Sequence, residues 1–206
     1  LAVFVGGCTL AAAEVVCKDR LLAEEEILDL LGRLVDRSLV VAEGGRYGFL
    51  ETIREYALER LIEAGEAEML RERHAAYFAS YMEEHFDAIL GAEQHQAIVE
   101  IASELGNVRA AWDWAVTARR YDLLWRAANG LTWYYELHSR FQEGEVVYGR
   151  AIDALSDEPD ADRDLLARLR THHGYFLDRL GRLAEARLEL AWGCAELRQA
   201  NQPREL

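Results

Sequence analysis

The chain has 206 residues, of which 51% are hydrophobic, and a formal net charge of −14. This length allows one large domain or two small ones with a buried core. The acidic balance argues against broad contact with nucleic acid or with an anionic membrane surface, because both depend on Lys and Arg.

Cysteine content and the lack of a targeting segment in the sequence suggest the cellular setting. Cys8, Cys17 and Cys194 are too few and too scattered for a disulfide framework or a metal site. No signal peptide or long apolar span is present in the sequence. A cytoplasmic location is therefore expected. The chain starts at Leu1 inside an apolar run, without an initiator methionine, and we expect it to be a piece of a longer protein.

The first 38 residues predict three helical segments. LAVFVGG (1–7) is interpreted as the end of a helix that the glycines stop, and Thr9 as the N-cap of a helix over 10–17. The charged stretch 18–26 is expected to form a loop. Apolar residues at helical spacing then predict a helix over 27–38.

A β-hairpin is predicted next. SLVVAE and RYGFL have the composition of strands, and Gly44-Gly45 between them accepts the positive φ of a tight turn. Helix, helix, helix and hairpin is the order of a winged-helix domain. We therefore assign residues 1–65 to a winged-helix domain.

From Glu51 onward the patterns are helical. Glycine at 65 is expected to end the first helix, and a long connecting helix occupies 66–90. Residues 91–206 are assigned to antiparallel helical hairpins, because their predicted turns, one of them at Gly106, are short. The predicted helices are 92–104, 107–118, 121–138, 141–155, 162–180 and 183–200, with a looser linker at SDEPDAD (156–162).

The helical hairpins have the features of degenerate repeats. GYFLDRLGRLAEARLELAWGCAEL (174–197) places small and apolar residues where a tetratricopeptide repeat requires them, and two preceding units fit more loosely. The predicted fold class is therefore mainly α: a winged-helix domain with one β-hairpin, followed by a tetratricopeptide-like array.

Two stretches carry a resemblance to a known family: FVGGCTLAAAEVVC and ILDLLGRLVDRSLVVAEGGRYGFLETIREYALERLIEAGEAEMLRERHAAYF. Through them, residues 1 to about 80 closely resemble a segment of bacterial signal-transduction ATPases of the STAND type. In that family an NB-ARC-like nucleotide-binding module precedes a winged helix and tetratricopeptide-type repeats. Many members are transcriptional regulators with a LuxR-type or SARP-type DNA-binding domain elsewhere. The resemblance implies a regulatory and sensor segment, with the winged helix packed on the nucleotide-binding module and the repeats receiving an inducer or a protein.

The same resemblance places the strand-to-helix junction, Phe49, Leu50 and Glu51, near the nucleotide. Animal and plant relatives carry a Met-His-Asp motif there, and its histidine position is Leu50 here, which cannot donate a hydrogen bond. The chain has no glycine-rich phosphate loop. We therefore expect no enzymatic activity and no cofactor in this chain, with ATP or ADP held by the parent protein.

The repeat frame predicts a concave, partner-binding face. Trp, Tyr and Arg are the residues that most often anchor interfaces. For the aromatic residues, packing between hairpins is an alternative. The predicted face comprises Arg126, Asn129, Trp133, Glu136, Arg168, Tyr175, Asp178 and Arg179.

Other functions are less favoured by the sequence. The six histidines lack metal-ligand spacing. A recognition helix at 27–37 would be preceded by three glutamates, 24–26, which would face phosphates with the wrong sign. The main alternative to a nucleotide-coupled regulator is a stand-alone helical scaffold that binds a peptide or protein.

Overall fold

The computed structural model describes residues 1–19, 22–156 and 162–199. It confirms the mainly α fold with a β-hairpin. The chain forms two compact units, one from residues 1–81 and 102–114 and the other from 82–101 and 115–206. The boundaries predicted from the sequence at 65 and 90 stay a prediction.

The described N-terminal elements are β1 (Cys8–Thr9), α1 (Leu10–Cys17), α2 (Glu24–Asp36), β2 (Val40–Glu43), β3 (Arg46–Phe49) and α3 (Glu51–Glu63). The strands form an antiparallel sheet in the order β1-β3-β2. The predicted hairpin is therefore β2–β3, and Gly44 and Gly45 turn it with φ of 57° and 78°.

The predicted helix at LAVFVGG is wrong. Residues 1–7 form turns, in which the amide of Phe4 donates to the carbonyl of Leu1 at 3.0 Å. Gly6 and Gly7 have positive φ, which breaks the helical path, and the chain then pairs as β1 with β3. In the described part of this region, two helices instead of three therefore precede the hairpin, and a third short strand is present.

Local capping explains where these helices begin and end. The hydroxyl of Thr9 accepts the amide of Ala12 at 3.2 Å, as predicted for an N-cap. The carboxylate of Glu26 accepts the amide of Ala23 at 3.0 Å, so α2 begins inside the stretch predicted as loop. Residues 20 and 21 of that stretch lie outside the described residues. Gly65 ends α3 with φ of 73°.

The remaining helices are α4 (Ala67–Leu90), α5 (Gln94–Thr117), α6 (Tyr121–Leu137), α7 (Phe141–Ser156), α8 (Arg163–Arg179) and α9 (Leu183–Gln199). The predicted turn at Gly106 is wrong, because α5 is continuous. Gly106 is required there for close approach: an added Cβ would lie 3.2 Å from the carbonyl oxygen of Val5. Most of the predicted linker at 156–162 lies outside the described residues.

Small residues let the helices of the second unit pack closely. A Cβ at Gly144 of α7 would lie 2.6 Å from the Phe176 ring of α8, and one at Gly130 of α6 would lie 2.5 Å from the Met82 carbonyl oxygen of α4. The buried centre of this unit includes Tyr148, whose hydroxyl donates to the Ala128 carbonyl at 2.6 Å. These contacts hold α6, α7 and α8 in fixed register.

Candidate functional site

The strand-to-helix junction is placed by β3 and α3. Phe49 ends β3 opposite Val40 and is half-buried. Leu50 is the N-cap residue of α3, and its side chain, 56% exposed, makes no capping hydrogen bond because it has no polar atom. The junction therefore presents an apolar side chain to solvent at the position predicted to lie near a nucleotide.

Glu51 is held by Arg54 one helical turn further on. The Nη2 of Arg54 donates to Oε1 of Glu51 at 2.6 Å, and this hydrogen bond holds the pKa of Glu51 below its usual range. The Nη1 of the same Arg54 donates to the carbonyl of Ala2 at 3.3 Å. An apolar Leu50 and an anionic Glu51 do not fit direct contact with phosphate, so the junction's side chains do not themselves form a phosphate site.

A buried polar network lies beneath the hairpin. Asn107 of α5 is fully buried; its Oδ1 accepts the amide of Val5 at 2.7 Å and its Nδ2 donates to the carbonyl of Gly7 at 2.9 Å. The Nδ2 also donates to Glu104 at 2.7 Å, and Glu104 accepts two hydrogen bonds from Arg46 of β3. The hydrogen bond to Glu104 raises the pKa of Arg46. The network joins the N-terminal segment, the hairpin and α5.

His74 of α4 completes this network. Its Nε2 lies 3.2 Å from Oδ1 of Asn107, and its ring packs against Phe4 and Phe78 with centroids 5.2 Å and 4.7 Å apart. Burial lowers the pKa of His74 to about 4, so the imidazole is neutral at pH 7. No local pattern in the sequence indicates the network, because its partners are up to 102 residues apart.

The predicted face of the second unit begins on α6. Nε of Arg126 donates to Oε2 of Glu83 at 2.6 Å, and Asn129 is half-buried. Trp133 is 38% exposed, so part of its ring is open to solvent. This part of the face therefore offers an aromatic surface beside a neutralised cation.

Three of the predicted residues meet where α6 and α8 pack. Nη2 of Arg179 lies 3.0 Å from Oε1 of Glu136, and its guanidinium stacks 4.8 Å from the centroid of the Phe141 ring. Burial and a hydrogen bond to Glu136 raise the pKa of Tyr175 to about 12. Asp178, next to Arg179 in the chain, is exposed. This cluster is a tyrosine, a carboxylate and a guanidinium fixed on two helices.

Arg168 lies in the interior of the unit. Only 5% of its surface is exposed, and its guanidinium stacks 4.3 Å from the centroid of the Trp125 ring. Its position inside the packed helices gives it a structural contact with α6, and a partner at the surface would not reach it.

Sequence reasoning missed a second polar cluster, on α7, α8 and α9. Nε2 of His173 lies 3.8 Å from Glu145 and its Nδ1 lies 3.9 Å from Glu189. Arg182 donates to Glu145 at 2.8 Å. Glu145 and Glu189 lie on different ring nitrogens of His173, so the imidazole and the two carboxylates cannot ligate one metal ion together. In residues 1–19, 22–156 and 162–199, no group of three His, Cys, Asp or Glu side chains is placed to hold a metal ion.

Comparison with known proteins points to regulators. Over 119 residues, 56% of this chain, the sequence is 38% identical to proteins of Mycobacterium tuberculosis and Mycobacterium bovis, each named "Putative HTH-type transcriptional regulator". An uncharacterized protein of M. tuberculosis is 39% identical over 79 residues, 36% of this chain and 20% of that protein. The match covers 13% of the length of the regulators.

No family model and no solved structure matches the chain. Across the described residues, no helix is both long and apolar enough to cross a bilayer. The relatives matched over 119 residues are named as transcriptional regulators, which supports a regulatory role.

Proposed function

We propose that this chain is the regulatory and sensor segment of a STAND-type ATPase that acts as a transcriptional regulator. Its first unit packs as a winged helix on a nucleotide-binding module, and its tetratricopeptide-like hairpins bind an inducer or a protein partner. ATP or ADP is held by that module, and this chain does no chemistry on it. The single observation that carries the proposal is the 38% identity to proteins named as transcriptional regulators over 56% of the chain. The site of action is the cytoplasm.

The surface of α3 supports a packing role for the first unit. None of the 13 residues of α3, all of them described, is buried. Its exposed residues include the apolar side chains of Tyr56 and Ile62, and Leu50 is exposed at its start. A helix is stabilised mainly by burying an apolar face, so α3 has apolar area left for a further partner.

The outer surface of α2 and β2 supports a protein partner over DNA. Leu28 and Leu30 of α2 and Val41 of β2 are exposed. Exposed Asp29 and Asp36 lie on the same helix as the two leucines. A helix that reads DNA places Arg, Lys or amide side chains toward the groove, whereas acidic side chains repel phosphates. The helix-turn-helix in the relatives' names is therefore not assigned to α2.

The coupling requires two states with different affinity for the partner. Binding at the helical hairpins shifts the protein toward an open, ATP-bound form only if the partner binds that form more tightly. Exposed Trp133 and the Glu136–Arg179–Tyr175 cluster supply the aromatic and charged groups for such contacts.

Co-elution of this chain with the upstream region of its parent, produced separately, tests the proposal. We expect a complex in ADP that weakens when ADP is exchanged for ATP. Leu50→Glu should abolish the complex, because it puts a charge into the expected interface. Val99→Glu, at an equally exposed position of the second unit, is the matched control and should leave the complex intact.

A second measurement tests the coupling itself. In the full-length protein, removal of residues 115–206 keeps the first unit complete and deletes most of the second. Identical rates of nucleotide exchange with and without these residues would contradict the proposal. No association in any nucleotide state would leave the alternative function, a helical scaffold that binds a protein without nucleotide coupling.

A further inference from the structure

A small cavity of about 170 Å³ lies within the first unit. It is lined by the N-terminal segment, α3, α4 and α5 and is open to solvent on one side. Pockets for drug-sized ligands begin at about 300 Å³, so this cavity suits a smaller molecule. Its lining residues are Ala2, Val3, Arg54, Leu58, Arg71, His74, Ala110 and Trp114.

Two arginines, Arg54 and Arg71, are among the residues that line this cavity. Their side chains are 24% and 35% exposed, so both are partly open to solvent. Each is paired at i,i+3 with a glutamate, Glu51 or Glu68, that is itself mostly exposed. Exposed pairs of this kind contribute little to stability, so a ligand anion in a less hydrated position can replace them.

The rest of the lining is apolar or uncharged. Leu58, Val3 and Ala110 supply aliphatic surface, and the indole of Trp114 adds an aromatic one. The imidazole of His74 is neutral at pH 7, so it adds no charge of its own. Guanidinium groups beside apolar surface match a ligand that has an anionic end and an apolar end.

We propose that this cavity binds a small carboxylate with a short aliphatic group, with the carboxylate on Arg54 and Arg71 and the aliphatic group against Leu58 and Trp114. Both carboxylate and phosphate match the planar guanidinium fork, but only the carboxylate ligand has an apolar part to bury against Leu58 and Trp114, so it is favoured over inorganic phosphate. The site belongs to the first unit alone. If the cavity binds no carboxylate, the proposed binding of a partner by the second unit is unaffected.

Calorimetric titration of the chain with sodium butyrate at pH 7, with ionic strength held constant with sodium chloride, tests the site. We expect saturable binding, with a shift of the Trp114 indole N–H signal in NMR spectra. Arg71→Gln should weaken binding at least about tenfold. Arg71 suits this test because its partner, Glu68, is exposed, so its loss leaves no buried charge behind.

Arg60→Gln is the matched control. Arg60 is paired with Glu63 at the same i,i+3 spacing but does not line the cavity, and its variant should bind butyrate within about twofold of the original. Absence of saturable binding, or equal binding by the Arg71→Gln and original proteins, would overturn the proposal. Inorganic phosphate is the second ligand, and phosphate binding more tightly than butyrate would overturn the assignment of a ligand with an apolar end.

Discussion

Oδ1 of Asn107 accepts a hydrogen bond from the amide of Val5 at 2.7 Å, across 102 residues of chain. The same side chain donates to Gly7 and to Glu104. Asn107 thus satisfies the polar groups of a segment that has no regular structure before β1. A buried polar group must be paired, and here one amide side chain supplies several of the partners.

Asn107→Ala should therefore destabilise the first unit by about 3 kcal/mol, because it leaves a buried amide, a carbonyl and a carboxylate short of partners. Urea unfolding followed by circular dichroism measures the loss. Asn129→Ala, at a half-buried position of α6, is the control and should lower the free energy of unfolding clearly less. Equal losses for both variants would show that the network contributes no more than an ordinary polar contact.

His74 should make stability depend on pH. Its folded pKa of about 4 is below the unfolded value of 6.5, so the unfolded chain binds more protons between these values. The contribution of neutral His74 to the free energy of unfolding is full above about pH 6.5 and is lost as the pH falls toward 4. At pH 5 the loss has reached about 2 kcal/mol. Urea midpoints at pH 7 and pH 5 measure this loss.

His74→Phe is the comparison for that measurement, because the ring can still pack against Phe4 and Phe78. Other groups, including half-buried His172, titrate in both proteins. The difference between the two proteins therefore isolates His74. An equal drop in stability between pH 7 and pH 5 for both would contradict the assignment of a buried neutral imidazole.

Two glycines in helices should respond oppositely to alanine. A Cβ at Gly130 would lie 2.5 Å from the Met82 carbonyl oxygen, so Gly130→Ala should destabilise the second unit by about 1–3 kcal/mol. A Cβ at Gly32 of α2 meets nothing within 4 Å. Gly32→Ala should stabilise by about 0.5–1 kcal/mol. Thermal unfolding of both variants checks the signs, and a stabilised Gly130→Ala protein would contradict the close packing of α4 and α6.

α3 should exchange its amide hydrogens faster than α6. α3 has no buried residue, whereas nine residues of α6 are buried. Local opening costs least where few apolar contacts must break, so exchange in 51–63 should be on the order of tenfold or more faster than in 121–137. Hydrogen–deuterium exchange with mass spectrometry measures both segments. If α3 packs on the proposed nucleotide-binding module, addition of that module should slow exchange in α3. Equal rates for the two helices without it would contradict the weak packing of α3.

The local part of the fold was predictable from the sequence. Thr9 caps α1, Gly44-Gly45 turns the hairpin and Gly65 ends α3, because each of these positions is decided by the residues next to it. Gly106 misled the prediction, because its role is close approach to Val5, a contact that neighbouring residues do not encode.

The candidate sites were less predictable for the same reason. The aromatic and charged residues of the second unit could be marked by type, and Glu136, Tyr175 and Arg179 do lie together. The burial of Arg168 beneath Trp125 depends on how α6 and α8 pack. The network around Asn107 depends on four segments that are distant in sequence.

The ion pair between Arg46 and Glu104 has a consequence for protein synthesis. Arg46 is synthesised long before Glu104. Until Glu104 has been synthesised, the guanidinium of Arg46 lacks its carboxylate partner from α5. The packing of the hairpin against α5 can therefore be completed only after about 60 further residues have been translated. Shorter recombinant versions that stop before residue 104 should be insoluble or prone to proteolysis, whereas those that extend through Trp114 include every residue of the first compact unit.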